Sequence, residues 1–302
     1  MRRDDRPAIS TITPVYNDPT GISDTLGSLP LDDDRAEFVV VDNGSTDETE
    51  SVIEEFERSY DSVRHLHEPG ENSQFAARNT AIRATDSDVL AFVDADMLLP
   101  DDWLSSVLDA FRATDAEFMA SGVELTMPDE PTFAARYDHH TGFPVEQYIE
   151  TQRFAPTCCL TIGRSVFEDV GLFDDRLQSG GDKEFGTRAH ETGYDLHFAA
   201  DVTMYHPTRN SVTALVDKAS RVGRGHCQLQ RYHPDRFGTP GISPRPSGIK
   251  RPDDDDDLPT GRRLAFDAFS QFLTAVRGLG YYREFVGGDR HRGRGAVPRL
   301  DA

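Results

Sequence analysis

The chain has 302 residues, 37% of them apolar, with 53 Asp and Glu against 32 Lys and Arg and a net charge of -21. That length supports one large core with appendages, and the charge, with no extended Lys/Arg patch, excludes a nucleic-acid partner, because binding a polyanion requires a basic face. Only Lys183, Lys218 and Lys250 are lysines; a carboxylate-rich, lysine-poor surface stays hydrated in strong salt, where screening removes its self-repulsion, so the composition reads as halophilic.

The start, MRRDDRPAIS, lacks the apolar stretch of a signal peptide, and no apolar run is long enough to span a bilayer. Cys158, Cys159 and Cys227 match neither a disulfide framework nor a zinc spacing. The expected setting is a reducing cytoplasm. From Ala8 onward short β-rich runs alternate with helical stretches: AISTIT, a helix near Gly21 to Leu29, EFVVVD, a helix from about Asp47, VRHLH, a helix from Ser73, and DVLAFVD. This alternation predicts an α/β fold with a mostly parallel central sheet flanked by helices. Ligands of such sheets bind beyond the carboxyl ends of the strands, which places Pro14 to Asn17, Asp42 to Asp47 and Asp94 to Asp96 around one crevice.

Residues 127 to 156 are rich in proline, aromatics and histidine without clear periodicity and read as an irregular acceptor-facing insertion. CCLTIG then reads as a strand, SVFEDVG as a short helix, SGGDKEFGTRAHETG as a loop entering a helix, and DLHFAADVTMYH as paired short strands of a small second sheet. Helical pattern resumes from Ser211 to Tyr232. Proline, glycine and the DDDDD run mark 233–260 as a solvated linker. Beyond it, Leu264, Phe266, Phe269, Phe272, Leu273, Val276 and Leu279 recur at near-helical spacing with arginines at both ends. Two readings stand for this helix: it lies on a membrane interface through 261–280, or it packs on the core. The expected organisation is a catalytic unit over 1–232, with a nucleotide-binding half at about 8–126 and an acceptor-binding half at about 127–232, followed by the linker, then an amphipathic helix and a disordered tail over 261–302.

The chemistry-bearing residues form an ordered set: PVYN at 14 to 17, DNGSTD at 42 to 47, AARN at 76 to 79, DAD at 94 to 96, GGDKEF from Gly180 to Phe185, and His206. Asp94 and Asp96 are two apart at the end of an apolar strand, so continued extended geometry points both carboxylates to one face, where a divalent cation relieves their repulsion. Two solvated loop aspartates in an Asp-rich chain are the structural alternative. Asn43-Gly44 is a turn signal, and Ser45 or Thr46 suits a helix cap. Asp182 suits either a general base or a cap for the helix that follows it. Glu184 and Arg188, spaced i and i+4, suit a supporting ion pair.

In this order the motifs resemble glycosyltransferase family 2, over about Ala8 to His206, and the composition resembles a haloarchaeal-type member. The resemblance implies the GT-A fold and an inverting transfer from a nucleotide-sugar donor, UDP-linked in particular, to a hydroxyl acceptor, with Mn²⁺ or Mg²⁺ as cofactor. Pro14, Val15, Tyr16, Asn17, Asp42, Arg78 and Asp94 would meet the nucleotide, with Asp42 accepting from the uracil imide. Asp96 and His206 would hold the metal, and Asp182 would be the base. Gly181, Glu184 and Arg188 would meet the acceptor or support the base. The family pattern has Glu-Asp where this chain has Gly181-Asp182, so the acceptor contact of the first acid is absent. Gln228, Arg231 and Tyr232 echo a QxxRW signature of processive synthases, but those carry membrane helices. A glycan, lipid-linked and made at the inner face of the cell membrane by a peripheral enzyme, is the expected acceptor. A sugar-nucleotide nucleotidyltransferase would instead need a Gly- and Arg-rich phosphate loop after the first strand, which PVYNDPTG is not. An inactive carbohydrate- or lipid-binding module would have no need of four acid and imidazole groups together.

Overall fold

The computed structural model describes residues 7–68, 73–114, 116–244, 258–288 and 296–300. Four strands, β1 (Ile9–Val15), β2 (Ala36–Asp42), β3 (Val63–His67) and β4 (Val89–Phe92), pair in parallel in the order β3-β2-β1-β4. β1 and β2 are buried almost throughout, because helices cover both faces of a parallel sheet and leave little reason for polar alternation. The covering helices are α1 (Pro19–Ser28), α2 (Thr49–Ser59) and α3 (Gln74–Ala84). Local chemistry starts α1: Pro19 suits its first turn, and the Asp18 carboxylate accepts from the Gly21 amide at 2.9 Å.

The second half departs from the sequence reading in several places. Helix α4 (Trp103–Ala113) and strand β5 (Phe118–Thr126) follow β4. The stretch 127–156, expected to be irregular, contains α5 (Phe133–Thr141), capped by the Thr132 hydroxyl, and α6 (Val145–Gln152). Its apolar positions are sparse because α5 buries only Ala134 and Tyr137 in a small satellite core. Strand β6 (Leu160–Gly163) inserts antiparallel between β4 and β5, and β7 (His197–Pro207) pairs in parallel with β5. The expected paired short strands are thus one strand whose register against β5 shifts between Ser121 and Gly122. Among the described residues there is one seven-stranded sheet, β3-β2-β1-β4-β6-β5-β7, and the small second sheet is replaced by its far edge.

Helices α7 (Arg164–Val170), α8 (Gly181–Thr192) and α9 (Val212–Tyr232) complete the core unit. The expected linker begins with a short helix, α10 (Pro234–Phe237), while its DDDDD run lies outside the described residues. The last helix, α11 (Thr260–Gly287), packs on α9 and α5: Phe266 and Phe269 lie against Phe133 and Tyr137 with ring centroids 4.8 to 5.6 Å apart. Two glycines let the backbones touch, since a Cβ at Gly223 would lie 2.0 Å from the Arg277 carbonyl and one at Gly280 2.3 Å from the Ser220 carbonyl. Residues 296–300, expected in a disordered tail, return to the core: Leu172 donates its amide to the Pro298 carbonyl at 2.9 Å, and Leu300 packs on the main cluster. No described helix is long and apolar enough to cross a membrane.

Candidate active site

The loops after β1 and β2 clasp one another. The Asp42 carboxylate, buried at the end of β2, accepts from the Ser45 amide at 2.9 Å and so closes the Asn-Gly turn before α2. Asn17, in the left-handed region at φ 50, donates its amide to the Ser45 hydroxyl at 2.9 Å and accepts from the Thr46 amide at 2.8 Å. Its backbone N–H and side-chain Oδ1 are thus used to hold the loop. Within PVYN, Tyr16 is exposed, Pro14 is half-buried, and the Val15 side chain is in the core. Val15 therefore has no side chain to offer a nucleotide, because strand alternation turns it inward.

A histidine pair flanks Asp42. His67 is its register partner on β3, with Nδ1 3.8 Å from the carboxylate, and donor atoms of Asp42, His65 and His67 all lie within 4.8 Å of one another. Burial lowers the pKa of His65, whose Nε2 is buried without a hydrogen-bond partner. The sequence reading took VRHLH only as a strand; two histidines at alternate positions facing a strand-end aspartate were the available signal.

The DAD segment is a turn. Strand β4 ends at Phe92, and the Met97 amide returns to the Asp94 carbonyl at 3.3 Å, so the extended geometry expected through the two aspartates does not continue. Asp94 accepts from Arg78 Nη2 at 2.6 Å. Arg78 is buried on α3, and its Nε and Nη1 have no hydrogen-bond partner. Asp96 instead faces His206, with Oδ1 and Nε2 3.6 Å apart. Their proximity is set by backbone: Leu98 and Tyr205 exchange two hydrogen bonds, at 2.8 and 2.9 Å, and so fasten the turn to β7. His206 Nδ1 lies 2.7 Å from the Pro207 carbonyl, which only accepts, so Nδ1 carries a proton and Nε2 is the ring nitrogen turned to Asp96. An oriented imidazole with an outer-sphere carbonyl, next to a carboxylate, fits the donor set of a divalent cation. The pKa of Asp96 is raised, by burial first, with Asp94 adding to the rise and His206 opposing it.

Asp182, in the first turn of α8, lines the same cleft, a space of about 850 Å³ that Arg78, Asp94 and His206 also line. Its carboxylate accepts from the Lys183 amide at 2.8 Å, and burial raises its pKa, against the pull of Arg78. The glycine before it has a packing cause. A Cβ at Gly181 would lie 2.7 Å from the Phe75 ring, so a glutamate there would require that ring to move. Glu184 and Arg188 form a buried two-point pair at 2.7 and 2.8 Å, and Arg188 also donates to the Val170 and Leu172 carbonyls. The pair braces the segment leading into α8 and does not line the cleft. Gln228 and Arg231 are likewise in structural use, Gln228 accepting from the Gln178 amide and Arg231 pairing with Glu284.

Residues 10–171 match the family model described as glycosyl transferase family 2. The chain is 36% identical over 226 residues to glycosyltransferase AglE of Haloferax volcanii, covering 74% of this chain and 74% of that protein. It is 27% identical over 236 residues to the pre-mycofactocin glycosyltransferase of Mycobacterium tuberculosis, covering 76% of this chain and 48% of that protein. Its fold is similar to that of the mannosyltransferase PcManGT from Pyrobaculum calidifontis, solved with GDP-Man and Mn²⁺, at a TM-score of 0.58 and 18% identity over 94% of this chain and 76% of that one. It is similar also to S. aureus TarS 1-349 in complex with UDP-GlcNAc, at 0.53 and 16% identity over 94% and 89% of the two chains.

Proposed function

The chain belongs to glycosyltransferase family 2 and is a glycosyltransferase; on that premise we propose that it moves one sugar, with inversion, from a UDP-sugar to a hydroxyl of a lipid-linked glycan. The observation that carries this reading is the shared cleft, lined by Asp182 together with Arg78, Asp94 and His206. Asp42 and Tyr16, at the ends of β2 and β1, would take the uracil, while Arg78, whose Nε and Nη1 have no hydrogen-bond partner, would reach the nucleotide. Asp96 and His206 would hold Mn²⁺ or Mg²⁺, which when bound would offset the charge of the leaving diphosphate.

Asp182 acts as the general base. The acceptor oxygen attacks the anomeric carbon on the face opposite the diphosphate and its proton passes to Asp182, while the anomeric C–O bond breaks with its electron pair going to the diphosphate. A raised carboxyl pKa suits this, because a base with more affinity for a proton accepts one more readily. The sugar-nucleotide nucleotidyltransferase alternative gains nothing from the relatives above, which are glycosyltransferases.

The lipid-linked acceptor and a place on the inner membrane face draw support from α11. Its packed side faces α9 and α5, and its other side leaves Phe272, Leu279 and Val286 exposed at seven-residue spacing, with Tyr282 beside them. Such a stripe, with Arg262, Arg263 and Arg283 on the same helix, suits an anionic interface. The deciding experiment is Asp182→Asn, assayed for UDP release in concentrated KCl and for UDP binding by calorimetry. Transfer should vanish while UDP binding persists; full turnover by the variant would remove Asp182 from the base role.

A further inference from the structure

The cleft is rich in basic side chains in a chain where acids outnumber bases 53 to 32. Two of the chain's three lysines, Lys183 and Lys218, line it together with Arg209, Arg221 and Arg277. Part of this charge has partners. Arg209 and Lys218 lie 3.4 and 3.9 Å from Asp138 of α5. Arg209 acts electrostatically on Asp96, and Arg221 feels both Asp94 and Asp182, which ties them to the DAD corner and to the centre of the cleft.

Lys183 and Arg277 are different. They come from α8 and α11, on the side of the cleft that begins at Asp182. Among the described residues no carboxylate is paired with either at salt-bridge distance: the Lys183 ammonium donates to Gln152 Oε1 at 3.1 Å and sits over the Phe154 ring, and Arg277 Nη2 lies 2.8 Å from His226 Nδ1 of α9. Arg277 Nε is buried with no hydrogen-bond partner at all. Burial lowers the pKa of Lys183, and Arg277 adds to the fall while the neighbouring Asp182 opposes it; burial, then Arg277, take His226 down to about 3, so the imidazole is neutral near pH 7. Two converging cations and a neutral imidazole, partly out of water and lacking a carboxylate partner, are costly until an anion joins them. The geometry is built into the fold, because the Gly223 contact that seats the Arg277 backbone on α9 tolerates no side chain.

We propose that Lys183 and Arg277, seated with His226, form an oxyanion-binding subsite on the acceptor side of the cleft, and that the acceptor carries a phosphate or carboxylate there. The inference rests on the reading of Asp182 as the acceptor-side base, and it makes α11 a wall of the acceptor site. A guanidinium and an ammonium facing one oxyanion give charge-assisted hydrogen bonds, the strong kind. A lipid-carrier phosphate and a uronic-acid carboxylate are the two sources of this chemistry.

The test is calorimetry on the full chain saturated with Mn²⁺ and UDP, so that the donor-phosphate site is filled. Glucose 6-phosphate, methyl β-glucuronide and neutral methyl β-glucoside are the probes. The charged sugars should bind roughly tenfold or more tighter than the glucoside, and the better of the two identifies the source. Arg277→Met and Lys183→Met should each remove most of that preference, with the thermal midpoint and UDP affinity close to wild type, while Arg277→Lys keeps part of it. Equal binding of charged and neutral probes, no binding of the charged ones, or an undiminished preference in Arg277→Met with its fold intact would overturn the subsite. Failure of the wild type to bind UDP would instead count against the donor reading and leave a measured charged-sugar preference standing.

Discussion

A divalent ion held by Asp96 and His206 gives Asp96→Ala and His206→Ala one signature: each should weaken Mn²⁺-dependent UDP binding by roughly tenfold or more and leave metal-free binding alone. Calorimetry with and without Mn²⁺ reads this directly. A Mn²⁺ requirement that survives both substitutions and disappears in His67→Ala would move the ion to the Asp42, His65 and His67 cluster, whose donor atoms are also close enough to share one. For Asp182 the raised pKa fixes two signs. With Asp182 as the proposed base, transfer needs the ionised carboxylate, so its acid limb should lie above the ordinary value of 3.8. A carboxyl whose folded-state pKa is raised contributes stability that is complete below 3.8 and is lost as pH rises through the folded-state value. Asp182→Asn, which cannot ionise, should therefore be no less stable than the wild type near neutral pH while losing transfer. Glu184 is the converse case. Glu184→Ala would leave Arg188 buried beside two carbonyls without its carboxylate, a loss of about 3–5 kcal/mol, read as a lowered denaturation midpoint; an unchanged midpoint would show that water replaces the pair. Motifs such as DNGSTD were legible because strand-end and turn chemistry is local. The clash that makes residue 181 a glycine was not, since Phe75 stands more than a hundred positions earlier.

Elements were read well where burial wrote its own pattern. β1 and β2 are continuous apolar runs, and α2 has an apolar face over Ile53, so period and length named them. α5 was missed because it buries two residues against a small cluster, and a pattern that short does not stand out from loop. β7 was split in two by the offset opposite Ser121 and Gly122, which breaks the alternation that marks one strand. For α11 the packing reading holds on the inner face, and the outer face carries exposed Phe272, Leu279 and Val286. If the bare face meets lipid, the chain should co-sediment with anionic vesicles, and Phe272→Ser combined with Leu279→Ser should return it to the supernatant. A concentration-dependent dimer that the same double substitution dissolves, with no vesicle binding by the wild type, would assign that stripe to a second copy.

At the scale of the molecule the excess of carboxylates sets the working solvent. With a net charge of -21 the folded state repels itself in dilute buffer, so the thermal midpoint should climb as KCl is raised toward molar concentrations. A flat dependence would mean that the charges are spaced too widely to matter. Whole-molecule topology was partly open to sequence reasoning, since βα alternation implies parallel strands, but nothing local announces that β6 turns antiparallel and enters between its predecessors. That insertion imposes an order on biosynthesis. β5 has no edge to join until β6 lies against β4, so the polypeptide emerging from the ribosome must hold residues 118–126 unpaired in the sheet until residues 160–163 have followed. The half carrying Asp42, Arg78 and Asp94 is therefore able to settle early, whereas His206 and the wall bearing Arg277 wait on nearly the entire translation product. On the proposed reading, a nascent chain stalled before α9 would hold the nucleotide-binding residues without the acceptor-side wall.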